Sequence, residues 1–165
     1  IADLEEATGV SRISLYHTFT DKETLFLAAL ERYQMRGMAK MRARLAEGED
    51  GLAAIEAFFA RMARKRTQAP NSRGCFLVNT AVDQRALSPT ITKRVATYRA
   101  MVLANFTDAL KRGGPRLSPA RVTERAEYLT TALWGILVTN RLYGSNEHSV
   151  LMAKQVVGTV QSWRA

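Results

Sequence analysis

Between Ser11 and His17 the chain reads SRISLYH, and five of those seven side chains can donate or accept hydrogen bonds. A guanidinium such as that of Arg12 can grip a guanine edge with two parallel N–H bonds. The hydroxyls of Ser14 and Tyr16 and the imidazole of His17 can reach base edges or phosphates, and Ile13 can meet a thymine methyl. The segment is therefore equipped to read a duplex, and the plain alternative is a solvated surface helix. Bond-making chemistry is poorly served. The histidines, His17 and His148, lie far apart and without a nearby carboxylate pattern. The chain has no HExxH, no GxSxG, no glycine-rich phosphate loop, no CxxC pair and no metal-ligand spacing. No catalytic residue, metal or cofactor is expected.

The elements that would present these groups follow from the punctuation around them. Gly9 supplies a tight turn after ADLEEAT, and Ser11 is placed as an N-cap. Leu15 and Phe19, four apart, anchor one face of a helix of about nine residues. Thr20-Asp21-Lys22-Glu23 reads as a capping box, with Thr20 as the cap and Glu23 reaching back. A helix of about 24 residues then runs from Lys22 to Leu45, about 36 Å long. Helix, glycine turn, short polar-faced helix and capped long helix make a helix-turn-helix layout.

LEEATGVSRISLYHTFTDKETLF, Leu4 to Phe26, resembles the DNA-binding signature of TetR-type transcriptional regulators. In that family a Gly-Val-Ser turn leads into a recognition helix carrying Leu-Tyr and Phe, after which a Lys and a Leu open the fourth helix. RGCFLVNTAVD, Arg73 to Asp83, is similar to a segment of one branch of these regulators. The resemblance implies that Ser11, Arg12, Ser14, Tyr16 and His17 face double-stranded DNA. Lys22, with the amide end of its helix, would hold a phosphate. It also implies a DNA-binding part over 1–46, a ligand-receiving and dimerising part over 47–165, and a palindromic operator bound by a homodimer. The family's first helix would precede Ile1, and the lack of an initiator Met points the same way. The alternative class is a helical ligand-binding or small enzymatic bundle that does not bind DNA.

The rest of the chain reads as all-α, about eight helices. Ser88-Pro89 and Ser118-Pro119 place a capping hydroxyl before a proline at the first helical position. Ile91, Val95, Tyr98, Val102, Phe106 and Ala109 recur at helical spacing, as do Val122, Leu129, Leu133, Ile136, Leu137 and Asn140. No segment alternates as a strand does, and no run of about 18 apolar residues exists, so a membrane span is not expected. The net charge of +9 is weak evidence for nucleic acid, because residues 1–48 carry seven basic and seven acidic side chains. The excess lies downstream, in runs such as RMARKR (Arg61 to Arg66), usually a solvated face. The single Cys75 fits a reducing cytoplasm. It follows Arg73-Gly74 at a helix start, where a redox role is open beside a plain structural one.

For the larger part, polar groups set in apolar helices suggest a cavity for a small hydrophobic or aromatic effector. Phe58, Met62, Phe76, Tyr98, Met101 and Trp134 would supply its bulk, and Asn79, Thr80 and Asn105 its hydrogen bonds. Each alone reads first as ordinary core or a satisfied buried polar group; only the family resemblance makes the cavity preferable. The last two helices are apolar on one side, with Gly135 and Gly158 inside them. The stripe could be ordinary intrachain packing; the family resemblance favours a dimer interface on Leu129, Leu133, Ile136, Leu137, Val157 and Val160.

Overall fold

The computed structural model describes residues 1–64, 74–83, 88–112, 117–144 and 147–164. Lys65, Arg66 and Arg73, and most of the connecting segments read above, lie outside the described residues. Eight α-helices and no strand occur among those described: α1 (Ala2–Thr8), α2 (Arg12–Thr18), α3 (Lys22–Leu45), α4 (Gly51–Arg64), α5 (Phe76–Val82), α6 (Pro89–Leu110), α7 (Pro119–Tyr143) and α8 (Glu147–Ser162). None is long and apolar enough to cross a membrane.

The helix starts are chemical. Ser88 and Ser118 accept from the amides of Ile91 and Arg121 at 3.3 Å each, with proline in the first turn. Gly9 closes α1 in the left-handed region, φ +69°, and donates its N–H to the Glu5 carbonyl at 2.8 Å. The start of α3 departs from expectation. Asp21, not Thr20, is the N-cap, and it accepts from the Thr24 amide at 2.7 Å. A carboxylate is the better partner for the positive end of a helix, so the cap moves one residue on. Glu23 is thereby released from the reach-back role. It accepts instead from the Ser88 hydroxyl at 2.5 Å, tying the start of α3 to the start of α6.

The core is one cluster. Phe58, Phe59 and Phe106 pack with ring centroids 5.4–5.8 Å apart, and all three are buried. The expected stripe of α6 is buried throughout. Helix α4 lies chiefly on α8, and α6 on α7, while α3 joins the bundle through Leu30, Gln34, Met38, Met41 and Leu45. Gly51 lets α4 begin against the end of α6: a Cβ there would stand 1.8 Å from the Ala109 carbonyl oxygen. Helices α1 and α2 contribute no buried residue. Among the described helices, α3 follows α2 directly and runs on into the core.

Candidate nucleic-acid interface and effector cavity

On α2 the side chains of Arg12, Ile13, Tyr16 and His17 are all exposed, and Leu15 and the C-cap Phe19 are half-buried on the other side. At 100° per residue, positions 12, 13, 16 and 17 share one face. Ile13 is 83% exposed, an unusual place for an isoleucine unless a partner covers it. The Arg12 guanidinium lies 5.6 Å from the centroid of the Tyr16 ring, which holds it along this face. The position of α2 is fixed from both ends of the turn. The Arg12 amide donates to the Glu5 carboxylate of α1, and the Ser14 amide donates to Ser11 Oγ at 3.2 Å. The Ser11 hydroxyl in turn donates to Ser14 Oγ at 3.0 Å. Ser11 and Ser14 are therefore engaged with each other, and Ser11 acts first as a positioning residue. Lys22 is exposed at the first turn of α3. The amides expected to hold a phosphate beside it already bond Asp21, whose carboxyl they keep below its ordinary value of 3.8. Lys22 itself is an exposed cation beside them.

A second feature lies where α3 meets α4, α5, α6 and α7. A cavity of about 520 Å³ is lined by Tyr33, Gly37, Met38, Lys40, Met41 and Arg44 of α3 and by Phe58, Arg61, Met62 and Arg64 of α4. Gly74, Cys75, Tyr98, Leu133, Leu137 and Asn140 complete it. Of the expected pocket residues, Phe58, Met62 and Tyr98 line it. Phe76 stands behind it, edge-on to Tyr33 and to Phe26 with centroids 5.8 and 5.3 Å apart.

Asn79, Thr80, Met101, Asn105 and Trp134 do not line this cavity. Thr80 donates to the Phe76 carbonyl at 2.9 Å, and Asn105 donates to the Met101 carbonyl at 2.8 Å, so both satisfy themselves within their own helices. Met101 takes a Gln34 amide hydrogen on its sulfur at 2.9 Å. Asn79 sits beside Gly74, where an added Cβ would meet its Oδ1 at 3.1 Å. Trp134 is half-buried, with its indole nitrogen buried and without a hydrogen-bond partner among the described residues. The α3 wall was missed, although Tyr33, Gly37, Lys40 and Arg44 recur at helical spacing and could have signalled one face. Cys75 is 3% exposed, at the N-cap of α5, with its sulfur 3.7 Å from the Tyr98 hydroxyl. Burial and the neighbouring thiol push the Tyr98 phenol up and raise Tyr33 to about 12.

Most of the expected interface residues turn inward in the protomer. Leu129, Leu133, Ile136 and Val160 are buried within the protomer, Leu133 and Leu137 line the cavity, and Leu137 and Val157 are half-buried. The stripe read from the sequence is the inward face, used by α4, α6 and the α7–α8 contact itself. The outward face of the same helices carries Tyr128, Leu142, Leu151 and Met152. Gly135 serves the intrachain contact, since a Cβ there would meet Met152 Cε at 3.2 Å, whereas Gly158 opens to free space.

An exposed helix held by caps precedes a long helix that walls a cavity in a helical bundle, a layout compatible with a helix-turn-helix regulator. The chain is 32% identical over 163 residues to the HTH-type transcriptional repressor ComR of Escherichia coli (strain K12), an alignment covering 96% of this chain and 76% of that protein. The chain belongs to the family of HTH-type transcriptional regulators that includes this repressor. The relative is a repressor and no enzyme family is indicated. No known family pattern matches the chain, and no solved structure does.

Proposed function

We propose that this protein is a TetR-type repressor of the cytoplasm that binds a palindromic operator as a homodimer and lets go when a small, largely hydrophobic effector enters the cavity. The observation that carries this reading is that α3 serves two sites. Its first turn follows the exposed helix α2, and its later turns supply Tyr33, Lys40, Met41 and Arg44 to the cavity wall. A ligand that repositions α3 therefore repositions α2. Phe26 and Tyr33 of α3, both edge-on to Phe76, couple that movement to α5. The effector must bind the DNA-incompetent arrangement more tightly, because only differential affinity shifts a population. A coupling of about 1–3 kcal/mol would lower operator affinity roughly 5–150-fold.

The test is operator binding with and without effector. The operator is first selected from random duplexes by the full-length protein. Candidate ligands are then screened by thermal shift and intrinsic Trp fluorescence, with Trp163→Phe isolating the Trp134 signal. Hits should release the operator. Ligands that stabilise the fold and leave operator affinity unchanged at saturation would show that this cavity is not the switch.

A further inference from the structure

The cavity has a sharp division of character. Its buried wall is apolar, built from Met38, Met41, Phe58 and Leu133. Its more exposed lining carries four cations, Lys40 and Arg44 from α3 and Arg61 and Arg64 from α4, and among the described residues no aspartate or glutamate lines it. Glu47 pairs with Arg61 at 2.5 Å, both side chains about half exposed. Among the described residues Lys40, Arg44 and Arg64 form no ion pair. With Arg61 compensated by Glu47, Lys40, Arg44 and Arg64 are left as like charges on one lining, and the adjoining low-dielectric wall strengthens their field there. An anion at the mouth would relieve their repulsion, and an apolar group behind it would fill the wall. From this we infer that the effector is an amphipathic anion: a carboxylate or phosphate ester on an apolar body small enough for about 520 Å³. The inference rests on the effector reading above and narrows it, from a hydrophobic molecule to one that carries a negative head. The anion would draw the α3 pair towards the α4 pair, and so acts on the helix that carries the reading element.

The probes are decanoate, decan-1-ol and decylammonium, one tail with three heads, and 2-naphthoate with 2-naphthylmethanol as an aromatic pair. Binding is followed by calorimetry below micelle-forming concentrations. Decanoate or 2-naphthoate should bind about tenfold or more tightly than the matching alcohol, an advantage in the range of one charge-assisted contact. It should weaken with added salt, and decylammonium should bind least. Arg44→Gln with Arg64→Gln should abolish the preference for the anion and leave alcohol binding in place, which also shows that the cavity is intact. Lys40→Gln, at an exposed position, should reduce the same preference. Equal affinity for acid and alcohol, stronger binding of the ammonium, or no binding by either series would overturn the proposal. Operator release is read separately. An anion that binds with the expected preference yet leaves DNA bound would leave this inference standing and remove the switch reading.

Discussion

At the scale of single residues, the structure separates groups that position the reading helix from groups that face outward. Ser11 and Glu5 accept from the first amides of α2, whereas Arg12, Ile13, Tyr16 and His17 are left for a partner. Replacing Arg12 or His17 by Ala should therefore relax base preference at one operator position, costing about 1–3 kcal/mol there. Lys22→Ala should weaken binding to every sequence alike and reduce the slope of log affinity against log salt by about one. Titrations of selected and scrambled duplexes at several salt concentrations decide between these roles; equal losses on both duplexes for every variant would mean the roles are wrongly divided. A second residue-scale outcome concerns Tyr33 and Tyr98 beside Cys75. Their phenols are held in the protonated form by burial and by the thiol, with Tyr33 raised from 10 to about 12. A group whose folded pKa is raised contributes stability that is fully present below its unfolded value and is lost as pH rises towards the folded one. The stability these phenols contribute should accordingly be constant to about pH 10 and fall from there, for Tyr33 to about pH 12. Tyr33→Phe should flatten part of that fall, as followed by denaturant unfolding alongside phenolate absorbance. An unchanged alkaline limb would remove Tyr33 from the account.

At the scale of elements, helix limits were legible in the sequence because they are set by local chemistry. Gly9, Ser11, Ser88-Pro89 and Ser118-Pro119 act within four residues of themselves, and each sits where the pattern placed it. The period of the core stripes was legible for the same reason. What the pattern does not carry is the partner. Leu129, Leu133 and Ile136 recur at helical spacing whether the surface they meet belongs to the same chain or to another. Their place inside the protomer is decided by the helices that α7 meets, α6, α8 and α5. Lys40 and Arg44 likewise read as solvated charges until α4 brings Arg61 and Arg64 beside them. Glu23 is a smaller case, drawn from its own helix start to Ser88, 65 residues on. That contact can be measured. Ser118→Ala removes a cap alone and should cost about 1 kcal/mol of unfolding free energy. Ser88→Ala removes a cap and the Glu23 bond, so it should cost more. In a Glu23→Ala background the excess should vanish, which is a double-mutant cycle with a coupling of about 0.5 kcal/mol or more. Equal costs in both backgrounds would mean that the bond contributes nothing to joining α3 and α6.

At the scale of the whole molecule, the question is what covers the outward side of α7 and α8. On α7 the exposed positions Tyr128, Thr131 and Leu142 fall on one side, with Gly135 and Val138 half-buried where that side borders the α8 contact and the core, and on α8 the exposed positions Leu151, Gln155, Gly158 and Ser162 share one face. No charged residue interrupts either row, although the chain carries 24 Lys and Arg and 15 Asp and Glu. From Tyr128 to Leu142 the first row runs about 21 Å, long enough for a second copy to lay its own α7 and α8 across it in a four-helix arrangement. The open space over Gly158 would let two backbones approach closely. The same helices thus offer an internal test, because their inward and outward faces should answer to different measurements. Leu129→Ala, at a position with no exposure, should lower fold stability by about 2–5 kcal/mol. Leu151→Glu, at a position 57% exposed, should change the stability of the isolated protomer by no more than about 0.5 kcal/mol. Its effect should fall on assembly instead. In sedimentation at micromolar concentration the unaltered chain should run as a dimer and Leu151→Glu as a monomer of 18.4 kDa, with operator affinity lost in parallel because paired half-sites need paired reading helices. A dimer that survives Leu151→Glu combined with Leu142→Glu would move the interface to another face of the molecule, and an unaltered chain that sediments as a monomer would remove it.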